Sequence, residues 1–189
     1  MIQENVKPQV GSLLLSEPFM LDPHFKRTVV LICEHDEKNG TVGFILNRTV
    51  DHIKVSDALA DFEMVHDALY YGGPVAHDNL HYLHRYGAQI EDSMEIIDGV
   101  YWGGNFEQIT EELKSGKLDP AGFRFFMGYS GWDPGQLNFE LENDSWIIAP
   151  AKAAHIFEMS SEALWKSVLD SMGGKFKQIK NYPEHPSLN

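Results

Sequence analysis

The stretch "LICEHDEKNG", residues 31–40, places the chain's single cysteine, Cys33, directly before Glu34, His35 and Asp36. A thiol beside an imidazole can be a redox sensor or an activated nucleophile, because a neighbouring cation lowers a thiol pKa. Residues two apart on a strand share a face, so Cys33 and His35 are expected on one side, with Glu34 and Asp36 on the other. Their backbones would still lie ~6–7 Å apart, which is long for a direct hydrogen bond. The apolar run from Val29 to Cys33 does not alternate. That favours a strand covered on both faces and a thiol buried as a small hydrophobe.

Other residues compete for a chemical role. "GYSGW" sets Ser130 where a strand–turn–helix elbow would expose a nucleophile, but the elbow needs glycine two residues on, and position 132 is Trp. The bland reading is a tight glycine turn with Trp132 as a packing anchor. His77, His81 and His84 in "HDNLHYLH" have helical ligand spacing. A strand would put His81 and His84 on opposite faces and break the set, so no metal or cofactor is expected. "WGGNFEQ" and "GWDPGQ" place glycines ahead of helix starts, where free N–H groups attract anions. Neither matches a full phosphate-binding fingerprint. Any anion pocket would need one of the chain's scarce cations, and Arg27, Arg48 and Arg124 are the candidates.

The elements that must position these residues follow from local pattern. "GSLLLS" and "RTVVLICEH" read as strands, and Asn39-Gly40 signals a hairpin into "TVGFILN". "KVSDALADF" reads as a short helix capped by Ser56. "ALYYGGPV" is a strand ending at Gly72-Gly73-Pro74. "LHYLHRY" is another strand, and "MEIIDGVYWGG" is an extended segment. "NFEQITEELKSG" is the clearest helix, with Asn105 as cap, Gln108 completing a capping box and Gly116 as stop. "GFRFFMGYSGW" is an aromatic strand entering a glycine turn. "DPGQLNFEL" is a short helix with Asp133 as cap and Pro134 at its first position. "SWIIAP" is a strand and "SEALWKSVLDSMGG" an amphipathic helix. Residues 1–10 read as loosely ordered, 11–180 as a single α+β domain and 181–189 as an extended tail.

Composition narrows the function classes. Fifteen Lys and Arg face 28 Asp and Glu, a net charge of −13. Such a surface repels the phosphate backbone and anionic lipid alike, so neither nucleic acid nor membrane is an expected partner. One cysteine permits no intrachain disulfide, and no stretch approaches the ~18 apolar residues of a membrane span. The expected location is the cytoplasm.

The ordered succession of "GSLLLSEP", "DPHFKRTVVLICEHDEKNGTVGFILNR", "GGPV", "GYSGWDPGQL" and "SWIIAP" resembles the bacterial AlgH/YqgE-type proteins from about position 11 to 172. The resemblance implies one α+β domain with a mostly antiparallel, bifurcated β-sheet folded into a pseudo-barrel, with helices packed outside. It also implies that alanine is accepted in place of Ser130, which a nucleophile would not tolerate. Some members carry the label of transcriptional regulator, and no activity is settled for the group. The reading is a non-enzymatic binding or regulatory protein acting on a protein partner or a small anionic ligand. Its expected recognition residues are Gly72, Gly73, Pro74, Gly131, Trp132 and Gln136 on the surface, with Arg48 from the hairpin end. The alternative is a redox or enzymatic protein using Cys33 and His35.

Overall fold

The computed structural model describes residues 6–183. The expected loose start through residue 5 and the tail from residue 184 lie outside that range. Ten strands form one branched sheet. Its first arm runs β10 (Trp146–Pro150), β1 (Ser12–Ser16), β2 (Val29–Asp36), β3 (Gly40–Ile45) and β9 (Phe123–Trp132). From β9 it continues to β6 (Val75–His84), β8 (Val100–Gly103) and β7 (Ser93–Ile97). The pair β4 (Thr49–Lys54) and β5 (Ala68–Tyr71) branches off at β9, where β5 runs parallel. All other pairings are antiparallel. The sheet curls into a half-barrel flanked, among the described residues, by six helices: α1 (Val55–Ala58), α2 (Phe106–Lys114), α3 (Gln136–Glu142), α4 (Ala153–Phe157), α5 (Ser161–Met172) and α6 (Gly174–Ile179).

The unbroken apolar runs of β1 and β2 are explained by cores on both faces. Leu13, Leu15, Val29, Leu31 and Cys33 pack with Leu164, Trp165, Val168 and Leu169 of α5. Leu14, Val30, Ile32 and Ile45 pack oppositely with Trp132, Leu137 and Trp146. Fully burying one such aliphatic side chain stabilises the fold by about 1.5–3 kcal/mol, which is why both faces of Leu13–Leu15 and Val29–Cys33 are apolar. A third core, with Phe62, Val65, Ile109, Leu113 and Phe125, sits under α2 and the short helical turn Ala60–Phe62.

The branch point rests on β9. Its C-terminal part, residues 130–132, pairs with β3, while residues 126–127 pair with β5. Its other edge pairs with β6. Gly72 and Gly73 fill the crotch of this fork. The Gly72 amide donates to Met127 O at 2.9 Å, and the Gly72 carbonyl accepts from Ile45 N at 2.9 Å and Ser130 Oγ at 3.0 Å. A Cβ on Gly73 would stand 2.4 Å from Ser130 N, and its φ of +151° is open only to glycine. The pair is therefore a structural joint.

Local expectations differ in places. α1 has Lys54 at its cap position, not Ser56, and ends after one turn. "MEIIDGVYWGG" is a hairpin, β7–β8, turned at Gly99 with φ +73°. Asn105 caps α2 by accepting from Gln108 N at 3.0 Å. The Gln108 side chain does not return the bond; it accepts from Glu91 N and donates to Gln89 O. α3 starts at Gln136 after Gly135 at φ +80°, so Asp133 and Pro134 lie in the turn before it. "GYSGW" does not end the strand: β9 continues to Trp132, with Gly128 at φ +69°. Close to the C-terminal end, Tyr182 stacks on Phe19 and its carbonyl accepts from Arg27.

Candidate functional site

Cys33 and His35 are not brought together. The β2–β3 register shifts between Ile32 and Glu34, a bulge that reverses the side-chain alternation. Cys33 faces the core under α5, whereas His35 shares a surface hollow with Asn138, Leu141 and Glu142 of α3. The same-face expectation therefore fails. His35 Nδ1 lies 2.7 Å from Thr41 Oγ1, directly across the hairpin. Cys33 has no exposed surface, and burial, with Glu34 adding to it, pushes its thiol well up. Burial of this kind disfavours the thiolate and shields the sulfur from reagents. Asp36 has a turn role, accepting from Lys38 N and Asn39 N to close the hairpin.

Ser130 is also sealed, its hydroxyl committed to the Gly72 carbonyl. The three histidines lie on strand β6, not on a helix. His84 is fully buried, with Nε2 3.0 Å from Gly103 O and Nδ1 accepting from Tyr86 N at 3.2 Å. His81 is held among Phe44, Trp102 and Tyr129. Burial lowers the pKa of both imidazoles. His77 is exposed. Among the described residues no group of three His, Cys, Asp or Glu side chains could hold a metal ion.

The expected surface residues split. Gly72 and Gly73 are buried in the fork, so they do not form a recognition surface, and Pro74 is half-buried. Trp132 is 5% exposed, between Phe25 and Trp146, and both indole N–H groups donate to Glu140 Oε2, at 2.9 Å from Trp132 and 2.7 Å from Trp146. It is a packing anchor. Gly131 and Gln136 are exposed, but Gln136 bonds within its own helix start, to Asp133 N and Glu140.

Of the expected recognition residues, Arg48 lines a surface hollow. It follows β3 and precedes β4, so the chain turns it outward beside the fork. Its guanidinium donates to Pro23 O at 2.7 Å and Lys26 O at 2.9 Å, clamping the loop between β1 and β2. With Thr49, Val50 and Asp51 it lines an open hollow that also takes His24, Tyr71 and His77. Tyr71 OH lies 2.8 Å from His24 Nδ1, and its ring stacks between His24 and His77, each about 6.0 Å away. Burial lowers the Arg48 pKa, while Tyr71 and Asp22 pull it back up. Burial raises that of Tyr71, with Arg48 opposing the shift and Asp22 adding to it. Two non-glycine residues with left-handed backbone, His52 at φ +61° and Ala76 at +46°, are next in sequence to Asp51 and His77 of this hollow. For an alanine that conformation is strained, and such strain concentrates at functional surfaces. His24 and Tyr71 carried no sequence signal of their own. They are 47 residues apart and meet only because Arg48 folds the loop onto the branch strand.

The branched half-barrel is shared with solved proteins. A crystal structure of a Corynebacterium diphtheriae protein superposes with a TM-score of 0.79 at 26% identity, covering 95% of both chains. The solution structure of the AlgH protein from Pseudomonas aeruginosa gives 0.72 at 24% identity over 97% of this chain and all of that one. The AlgH-like family model matches residues 13–177. The UPF0301 proteins of Chlorobium limicola and Chlorobium phaeobacteroides are 43% and 44% identical over the full length of both chains. The fold class is thus the AlgH-type branched α+β sheet. The chain itself belongs to the AlgH-like family.

Proposed function

We propose that this chain is a non-enzymatic, cytoplasmic binding or regulatory protein that works through protein contact. Its contact site is the hollow of His24, Arg48, Tyr71 and His77. The observation that carries the reading is a half-buried arginine beside a stacked His–Tyr–His set in a chain of net charge −13. The hollow is too open to enclose a small substrate and suits a segment of another protein that presents a carboxylate. Left-handed backbone at His52 and Ala76, next in sequence to two of its lining residues, and the absence of an accessible nucleophile at Cys33 or Ser130 support the same reading.

The test is affinity capture with wild-type protein and with His77→Glu, an exposed change that puts a negative charge on the Tyr71 face. A partner retained by wild type and lost by His77→Glu, at equal melting temperature, supports the site. A partner retained equally by both overturns it. Literal DNA binding is disfavoured by charge: duplex titration at physiological salt should show no association, and a steep salt slope at micromolar affinity would restore the regulator label.

A further inference from the structure

A second, more enclosed site lies on the other branch of the fork. β5 and β9 pair only at Tyr70–Phe126 and Tyr71–Met127. Below those residues the two strands separate and leave a cavity of about 350 Å³. Arg124 lines it and is only 9% exposed. Its guanidinium carbon stands 4.2 Å from the Tyr70 ring centroid, and Nη1 donates to Leu46 O at 3.1 Å. Among the described residues no carboxylate reaches it within ion-pair distance. A guanidinium has five N–H donors in a rigid fork that matches a carboxylate, and an unpaired buried charge is costly. Tyr70 and Asp67 favour the charged form, but burial outweighs them and lowers the Arg124 pKa. Tyr70 also hydrogen-bonds to the guanidinium, so what the site lacks is a carboxylate in direct contact with Arg124.

The walls define the rest of the ligand. Phe123, Phe125 and Phe157 supply apolar surface, and the small Ala68 and Ala121 leave the space open. Arg85 covers Phe157, 4.5 Å from its ring centroid, and is held there by Glu158 at 3.0 Å. Asp67, exposed and also lining the cavity, repels a second negative charge. Pockets of this volume, in which apolar walls meet a few convergent polar groups, are where small ligands bind.

We infer that this cavity binds a small monocarboxylate with a compact apolar body, its carboxylate on Arg124 and its body against the three phenylalanines. This site is separate from the Arg48 hollow, so either can fail alone.

The experiment titrates the full chain with 3-phenylpropionate, L-phenylalanine and phenethylamine, read by amide chemical shifts. Saturable shifts of residues 67–70 and 121–125 with 3-phenylpropionate, and none with phenethylamine, are expected. L-phenylalanine separates the two sources of the carboxylate: tighter binding than 3-phenylpropionate assigns an amino acid whose ammonium meets Asp67, and weaker binding assigns an acid without one. Arg124→Lys should weaken binding at least tenfold. Ala121→Leu, a rim change that fills the cavity without touching the charge, should do the same if Arg124 variants fail to fold. No saturation by either acid at millimolar concentration, equal binding of the amine, or wild-type binding by Ala121→Leu would overturn the assignment.

Discussion

Cys33 shows how one extra residue in a strand decides chemistry. The bulge after Ile32 turns His35 away, and the core seals the sulfur with no exposed surface. The folded protein should therefore label slowly with a thiol reagent, and unfolding should accelerate labelling by orders of magnitude. Cys33→Ala should cost about 1–2 kcal/mol, the transfer and cavity terms for one small buried group. Rapid native labelling with a midpoint well below the free-thiol value of about 8.5 would contradict this. The burial was legible in the unbroken run Val29 to Cys33. The bulge was not, because period-two alternation carries no mark of where an extra residue is inserted. Arg48 was legible as a scarce cation at a hairpin end. Its partners Tyr71 and His24 were not, because they meet through tertiary packing alone.

At the scale of elements, the fork stands or falls with Gly72 and Gly73. Gly73→Ala forces a side chain into a glycine-only conformation and against Ser130. Backbone strain alone costs of order 1–3 kcal/mol, so a loss of at least about 2 kcal/mol in denaturant unfolding is expected. Wild-type stability would mean that the fork can open without cost. Trp132 pins β9 to α3, and Trp132→Ala should cost about 3–5 kcal/mol. If melting is unchanged while partner binding vanishes, Trp132 belongs to a recognition surface after all. The strands were readable because β-branched runs and Asn39-Gly40 are local signals. The glycines of "GGPV" read as a strand end, which they are, and as surface, which they are not. A glycine needed for close backbone approach looks in sequence like one needed for a turn. β4 escaped the reading because "TVDHIK" has no apolar alternation and is mostly exposed.

At the scale of the whole molecule, two buried imidazoles and one half-buried imidazole link the fold to pH. Burial lowers the pKa of His81 and His84, and of His155, where Lys152 adds to it. The unfolded chain then binds protons more readily than the folded one. Stability is fully present above the ordinary value of 6.5 and is lost as pH falls below it toward the depressed folded values. Melting temperature should hold from pH 8 to about 7 and fall from about 6.5 downward; a flat profile to pH 5 would mean these imidazoles protonate without penalty. Among the described residues no helix is long and apolar enough to cross a membrane. On a chain of net charge −13, the proposed contact surface is the hollow that joins Arg48 to His24, Tyr71 and His77. That claim is tested most directly by site-specific photo-crosslinking in the source cell, with the crosslinker at Val50 on the rim of the Arg48 hollow or at Lys166 on the exposed face of α5. One discrete protein adduct is expected from position 50 and none from position 166. Adducts from position 166 alone, or none from position 50, would contradict it.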